Sequence, residues 1–290
     1  MFVSRYFANL IRAANHFGLH GARENRAVMP QMMPFKGAAL GLSSDGFATV
    51  SRTLGVHASE IWTVLAVETS GCGFLPDQRP QILYERHVFH RLTGGRFDDG
   101  DISDKDPGGY GPRGARQYDR LARAIAKDRV AALQSASWGI GQIMGENYAL
   151  AGFQTVEAMV AAMTQSEDAQ LAAMGLFLCK SGLNSSLQAH DWTSFARGYN
   201  GPNYAINRYD VRLNGEFQKY SAGALPDLNV RSAQLYLTYL GFHPGPVDGI
   251  AGQETLAAFT EFADQQSLPG NRNINSDAVD SLKAALSSHP

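Results

Sequence analysis

A mainly α-helical fold with a small β element, split into one large and one small unit, is predicted by three observations. From Asp45 onward, apolar residues recur every three or four positions behind polar starts, which is the helical period. The chain has 290 residues, more than one ordinary domain of roughly 100 to 200 residues needs. Residues 222–227, with Gly223 and Pro226, interrupt the helical pattern before it restarts, as a linker does. Hydrophobic residues make up 44% of the chain and charged residues 18%, which supplies a core and excludes a disordered chain.

Residues 1–34 are expected to form an extension outside the fold. Their arginines (Arg5, Arg12, Arg23, Arg26) are not followed by a continuous apolar core or a small-residue cleavage site, so no secretory signal is predicted. Met29, Met32 and Met33 offer internal starts. A first helix is predicted over 46–54. A second runs from Ser59, as N-cap, through Ile61, Val64, Leu65 and Glu68 to a stop near Gly71. Residues 81–87, with Ile82, Leu83 and Tyr84, fit a short strand or a helix start. Residues 96–113, rich in Asp and Gly with two prolines, make a long loop. Helices follow over 117–134, after 138–141, over 156–163 and 167–179, and from Asp191. Beyond the linker, Val230, Ala233, Leu237 and Leu240 share a helix face. A Gly-Pro turn over 241–252 leads to a second apolar helix with Leu256, Phe259 and Phe262.

Charge excludes several classes of partner. With 25 Lys and Arg against 27 Asp and Glu, the net charge of -2 gives no bulk attraction to nucleic acid or an anionic membrane. That value averages residues 1–36, with five basic groups and one acidic, against 226–290, with three basic and seven acidic. No Walker or dinucleotide glycine motif occurs, and basic residues are not interleaved with aromatics. No run approaches the roughly 20 apolar residues of a membrane span. Cys72 and Cys179 are too few for a disulfide framework and fit a reduced compartment; a single bridge is the alternative.

Glu68 is the most informative position. Residues 61, 64, 65 and 68 share a helix face, so a carboxylate ends an apolar stripe. Burial there favours the protonated form, the property a general acid needs; an exposed helix-end glutamate paired with Arg79 or Arg86 is the other reading. Glu85, His87 and His90 lack the spacing of a metalloprotease, and structural histidines are the simpler account.

Three segments, the first containing Glu68, stand in order. They are Val67-Glu68-Thr69-Ser70-Gly71, Ser137-Trp138-Gly139-Ile140-Gly141-Gln142-Ile143-Met144 and Ala196-Arg197-Gly198-Tyr199-Asn200-Gly201-Pro202. Together they resemble the lysozyme superfamily in its goose-type and soluble lytic transglycosylase branch. With Gly71 to Pro76 and Ile82 to His87, they are most similar to the N-acetylmuramidase domain of modular phage and prophage endolysins. The resemblance covers 35–221 and implies a lysozyme-like catalytic domain that cleaves the β-1,4 bond between N-acetylmuramic acid and N-acetylglucosamine, without cofactor or metal. It implies Glu68 as general acid. The second carboxylate is left open between Glu85, the preferred residue, and the loop residues Asp98, Asp99, Asp101, Asp104 and Asp106. Tyr84, Ser137, Gln142, Tyr199 and Asn200 are the expected substrate-binding residues, core packing being the other reading of Tyr84 and the preferred one of Trp138. A lytic transglycosylase and a non-catalytic wall-binding protein are the competing readings.

Residues 229–288 resemble the three-helix peptidoglycan-binding module of cell-wall hydrolases. The carrying residues include Gln234, Leu240-Gly241-Phe242, Gly245-Pro246-Val247-Asp248-Gly249 and Thr255, and Asp248, Gly249 and Thr255 are its candidate binding residues. Ile250-Ala251 departs from the usual aromatic and small polar pair. The resemblance implies a monomer whose partner is bacterial peptidoglycan. The chain would be made in the host cytoplasm and reach the wall after the membrane is permeabilised.

Overall fold

The computed structural model describes residues 35–68, 72–202, 204–268 and 273–288. The expected extension over 1–34 lies outside the described residues. Helices dominate: α1 (Ser44–Leu54), α2 (Ala58–Glu68), α3 (Arg86–Thr93), α4 (Gln117–Ile125), α5 (Arg129–Gln134), α6 (Val156–Met163), α7 (Glu167–Lys180), α8 (Asn184–Gln188), α9 (Trp192–Asn200) and α10 (Tyr209–Ala222). A small antiparallel sheet, β1 (Ile82–Tyr84), β2 (Ala136–Trp138) and β3 (Ile143–Met144), stands in that order with β2 central. After residues 223–227 come α11 (Leu228–Tyr239), α12 (Gln253–Gln265) and α13 (Ser276–Ser288).

Capping explains where several helices begin. The Ser43 hydroxyl accepts from Gly46 N, Thr155 from Ala158 N and Ser166 from Ala169 N, each satisfying an N–H that has no partner within the helix. Ser59 is not the cap of α2. It lies inside the helix, and the start is closed by the Glu60 carboxylate, which accepts from His57 N at 3.1 Å. The helix expected over 117–134 is two, because the Asp128 side chain accepts from Ala131 N and starts a new one. The helix expected after 138–141 is the turn of a hairpin. Trp138 pairs with both Ile82 and Ile143, and Gly139 (φ 69°) and Gln142 (φ 47°) are left-handed, which no helix tolerates.

The main core gathers α1, α2, α4 to α7, α9, α10 and the sheet around Trp62, Trp138, Phe177 and Phe195. Trp138 is fully buried, and its indole N–H donates to Leu133 O at 3.1 Å. A second core joins α11, α12 and α13, and it includes Ala39 and Phe74 from the large unit.

Candidate active site

Helix α2 runs through the middle of the large unit. Ile61, Val64, Leu65 and Val67 are at most 3% exposed, and Trp62, Thr63 and Glu60 are buried as well. The apolar stripe predicted from spacing is therefore part of a helix covered on most sides, with α10 packed along it. Its N-terminus is fastened by Glu60, which also accepts from Ser59 Oγ at 2.9 Å and contacts His190 Nε2 at 2.8 Å. Burial pushes the Glu60 carboxyl upward, but the hydrogen bonds from His190 and Ser59 outweigh it and hold the group below the usual carboxylate range. At the other end, Arg212 donates to Val67 O at 3.3 Å. The backbone of Glu68 is the last residue of α2. Its side chain lies outside the described residues.

Two backbone bonds lead from Gly73 into the sheet. Gly73 O accepts from Gln81 N at 2.8 Å, and Gln81 O accepts from Gly139 N at 2.9 Å. Alternation along β1 then separates two faces. Tyr84 faces the core: it is 0% exposed and donates its hydroxyl to Ile102 O at 2.8 Å, and burial raises the pKa of that hydroxyl. Of its two readings, its burial fits core packing. Leu83 pairs with Ser137, and Glu85 extends the ladder by donating its N–H to Ser135 O at 2.8 Å. Leu83, Glu85 and Ser137 therefore share the opposite face. Glu85 is buried, with Oε2 3.2 Å from His87 Nδ1, whereas Arg86 turns to Asp104 at 3.3 Å.

The hairpin turn draws the other candidate residues together. Ser137 Oγ donates to Gln142 Oε1 at 2.8 Å, and Gln142 Nε2 donates to Gly139 O at 2.8 Å. Tyr199 donates its hydroxyl to Gly141 O at 2.6 Å, its ring stacked on Phe195 and edge-on to Phe177. Ser137 and Tyr199 are each 1% exposed and support the turn. Asn200 ends α9 and is buried beside them in sequence. The sequence reading missed Gln170 of α7, which accepts from Ile140 N at 2.7 Å and donates to Met163 O at 2.8 Å. Gln170 lies one turn into α7, a helix buried on most sides, and no local signal marks it.

The aspartates of the long loop are occupied in holding it. Asp98 bonds Ser103 Oγ and contacts His90 Nδ1 at 2.8 Å; Asp99 accepts from the N–H groups of Asp101 and Ile102; Asp101 pairs with Arg120 and Arg123. Asp104 pairs with Arg86 and Asp106 with Lys105. Among the described residues, no three His, Cys, Asp or Glu side chains converge as metal ligands. The alternative of a bridge is overturned: both cysteines are free thiols, Cys72 donating to Phe74 O and Cys179 lying against Thr53 O. Burial first, and the Glu167 carboxylate second, push the Cys72 thiol up to about 11, which leaves it protonated and unreactive.

In the small unit, Gln234 of α11 organises the turn. Its Oε1 accepts from Asp248 N and Gly249 N, and its Nε2 donates to Asp248 Oδ1, Ile250 O and Thr255 Oγ1, all between 2.8 and 3.0 Å. Gly249 has φ 78°, and a Cβ there would sit 2.8 Å from Pro226. Thr255 is buried and donates to Pro244 O. Asp248, Gly249 and Thr255 thus build the loop. The open surface lies alongside, in a groove lined by Thr238, Phe242, His243, Glu254, Glu261 and Gln265.

The N-acetylmuramidase family profile matches residues 57–221. Among solved structures, the crystal structure of the Burkholderia AP3 phage endolysin is similar, with 37% sequence identity and a TM-score of 0.58 over 63% of this chain and 71% of that one. No curated protein matches.

Proposed function

Because the chain belongs to the N-acetylmuramidase family, we propose that it is an endolysin that hydrolyses the β-1,4 bond between N-acetylmuramic acid and N-acetylglucosamine in peptidoglycan. The observation that carries this reading is a buried central helix ending at Glu68, joined through Gly73 and Gln81 to a sheet face that bears a second carboxylate, Glu85. Glu68 gives its proton to the glycosidic oxygen as the bond breaks, and a water attacks the anomeric carbon. Glu85, on the Ser137 face, accepts the proton from that water, with His87 Nδ1 3.2 Å from its Oε2. The N-acetyl sugar lies against the hairpin turn 139–142, with Gln142 and Asn200 as the residues that contact it.

The small unit is a peptidoglycan-binding module whose contact surface is the Phe242 groove. Glu68→Gln keeps the shape and removes the acid. Lysis of purified sacculi is expected to fall about a hundredfold or more, the general-acid contribution, while pelleting with sacculi is kept. Unchanged lysis removes Glu68 from the mechanism. Mass spectrometry of the muramic products separates hydrolysis from transglycosylation, whose product is lighter by one water.

A further inference from the structure

A buried ion pair crosses from the small unit into the large one. Glu167, the first residue of α7, is 0% exposed and Arg231 of α11 is 1% exposed. Arg231 Nη2 donates to Glu167 Oε1 at 2.9 Å and Nη1 donates to Oε2. The same carboxylate accepts from Gly73 N at 2.7 Å and Leu42 N at 3.1 Å. Gly73 lies five residues beyond Glu68, and its carbonyl holds Gln81 at the entry to β1. A Cβ at Gly73 would fall 1.8 Å from Gln170 Oε1 and 2.9 Å from Ile140 N, so the turn has no slack.

We propose that Arg231 is a positioning residue of the active site: through Glu167 it fixes Gly73, and through the Gly73 carbonyl it fixes Gln81 at the entry to the sheet. This rests on the muramidase reading above. Arg231 neutralises and orients a carboxylate that would otherwise be buried unpaired, and a misdirected Glu167 would release Gly73 N. The docking around it is extensive. Tyr236 OH accepts from Gly41 N at 2.9 Å, Tyr239 OH donates to Ala39 O at 3.1 Å, Ser232 Oγ donates to Leu42 O at 3.3 Å, and Phe74 packs into the small unit's core. The small unit therefore backs Gly73 and Phe74 in addition to any hold it has on the cell wall.

The test compares full-length Arg231→Met and Arg231→Lys with the wild type, using soluble uncrosslinked glycan strands as substrate and circular dichroism to establish folding. For folded Arg231→Met, kcat is expected to fall about ten- to a hundredfold, the effect of misplacing a reacting group by about an ångström. KM should move less than about twofold, since ground-state binding is untouched. Arg231→Lys, which keeps the charge without the fork, should be intermediate, and sacculus pelleting should be unchanged for both. A folded Arg231→Met with wild-type kcat, or a loss confined to KM, overturns the proposal. If Arg231→Met does not fold, Arg231→Lys decides: faster amide exchange at Gly73 together with lower kcat supports the proposal, and wild-type protection there overturns it. A wild-type chain that releases no reducing ends sinks the muramidase reading, while Gly73 exchange still reports on the link from Arg231.

Discussion

Tyr199 donates its hydroxyl to the carbonyl of Gly141 across 2.6 Å, although 58 positions separate them in the sequence. The bond fastens α9 to the hairpin turn of the sheet, and the ring is fixed between Phe195 and Phe177. Two motifs that look independent in the sequence are thereby one structural unit. The tyrosine holds the backbone of the turn in place.

Tyr199→Phe keeps the ring packing and leaves the Gly141 carbonyl short of a donor. It is expected to destabilise the protein by about 1 to 3 kcal/mol, the cost of an orphaned buried acceptor. Urea unfolding measures this, and a wild-type midpoint would show that the bond contributes nothing.

Gln142 is a non-glycine residue at φ 47°, held there by its own amide bonds to Ser137 and Gly139. Gln142→Ala loses those bonds and keeps the strained backbone, whereas Gln142→Gly loses the same bonds and relieves the strain. Alanine is therefore expected to be the more damaging of the two by about 1 kcal/mol. Equal unfolding midpoints for the two variants would remove strain from the account.

Much of the fold was legible because helices announce themselves by period and caps. The pattern over 156–163 coincides with α6, and the strand option at 81–87 holds for β1. Tertiary contacts defeated the rest. The glycine-rich stretch after Trp138 has helix-compatible neighbours, and only the pairing of Trp138 with Ile143 on its far side makes it a hairpin turn. Helix α10 escaped notice because its buried residues, Tyr209 and Leu213, are few among polar neighbours. At the site, motif order marked the hairpin and the end of α2, but which face each side chain takes depends on sheet register. Tyr84 and Glu85 are adjacent in sequence and diverge for that reason. Gln170, Gln234 and Glu167 were invisible as organisers, since a buried amide or carboxylate is spelled like an exposed one.

The Gln234 network makes a separable prediction for the small unit. Gln234→Leu leaves Asp248 N, Gly249 N and Thr255 Oγ1 short of a partner and is expected to cost about 2 to 4 kcal/mol, with more than one buried group unsatisfied. Sacculus pelleting should fall as the Phe242 groove loses its supporting loop, with cleavage of short soluble glycans less affected. Pelleting unchanged in a variant with a lowered melting temperature would place wall contact elsewhere.

The acid side of the stability profile follows from Glu60 and Asp99. Burial raises both, but His190 and Ser59 on Glu60, and the N–H groups of Asp101, Ile102 and Ser103 with Arg123 on Asp99, hold both below the ordinary range. A carboxylate whose pKa is lowered by folding contributes stability that is fully present above its unfolded value, about 4, and is lost as pH falls through the folded value. The urea midpoint is therefore expected to owe no slope to these groups from neutral pH down to about 5 and to decline below about 4. Glu60→Gln should lower stability at neutral pH and flatten that decline, so that its curve and the wild-type curve converge in acid. Parallel curves would mean that the carboxylate at the start of α2 binds its proton equally in the folded and unfolded chains.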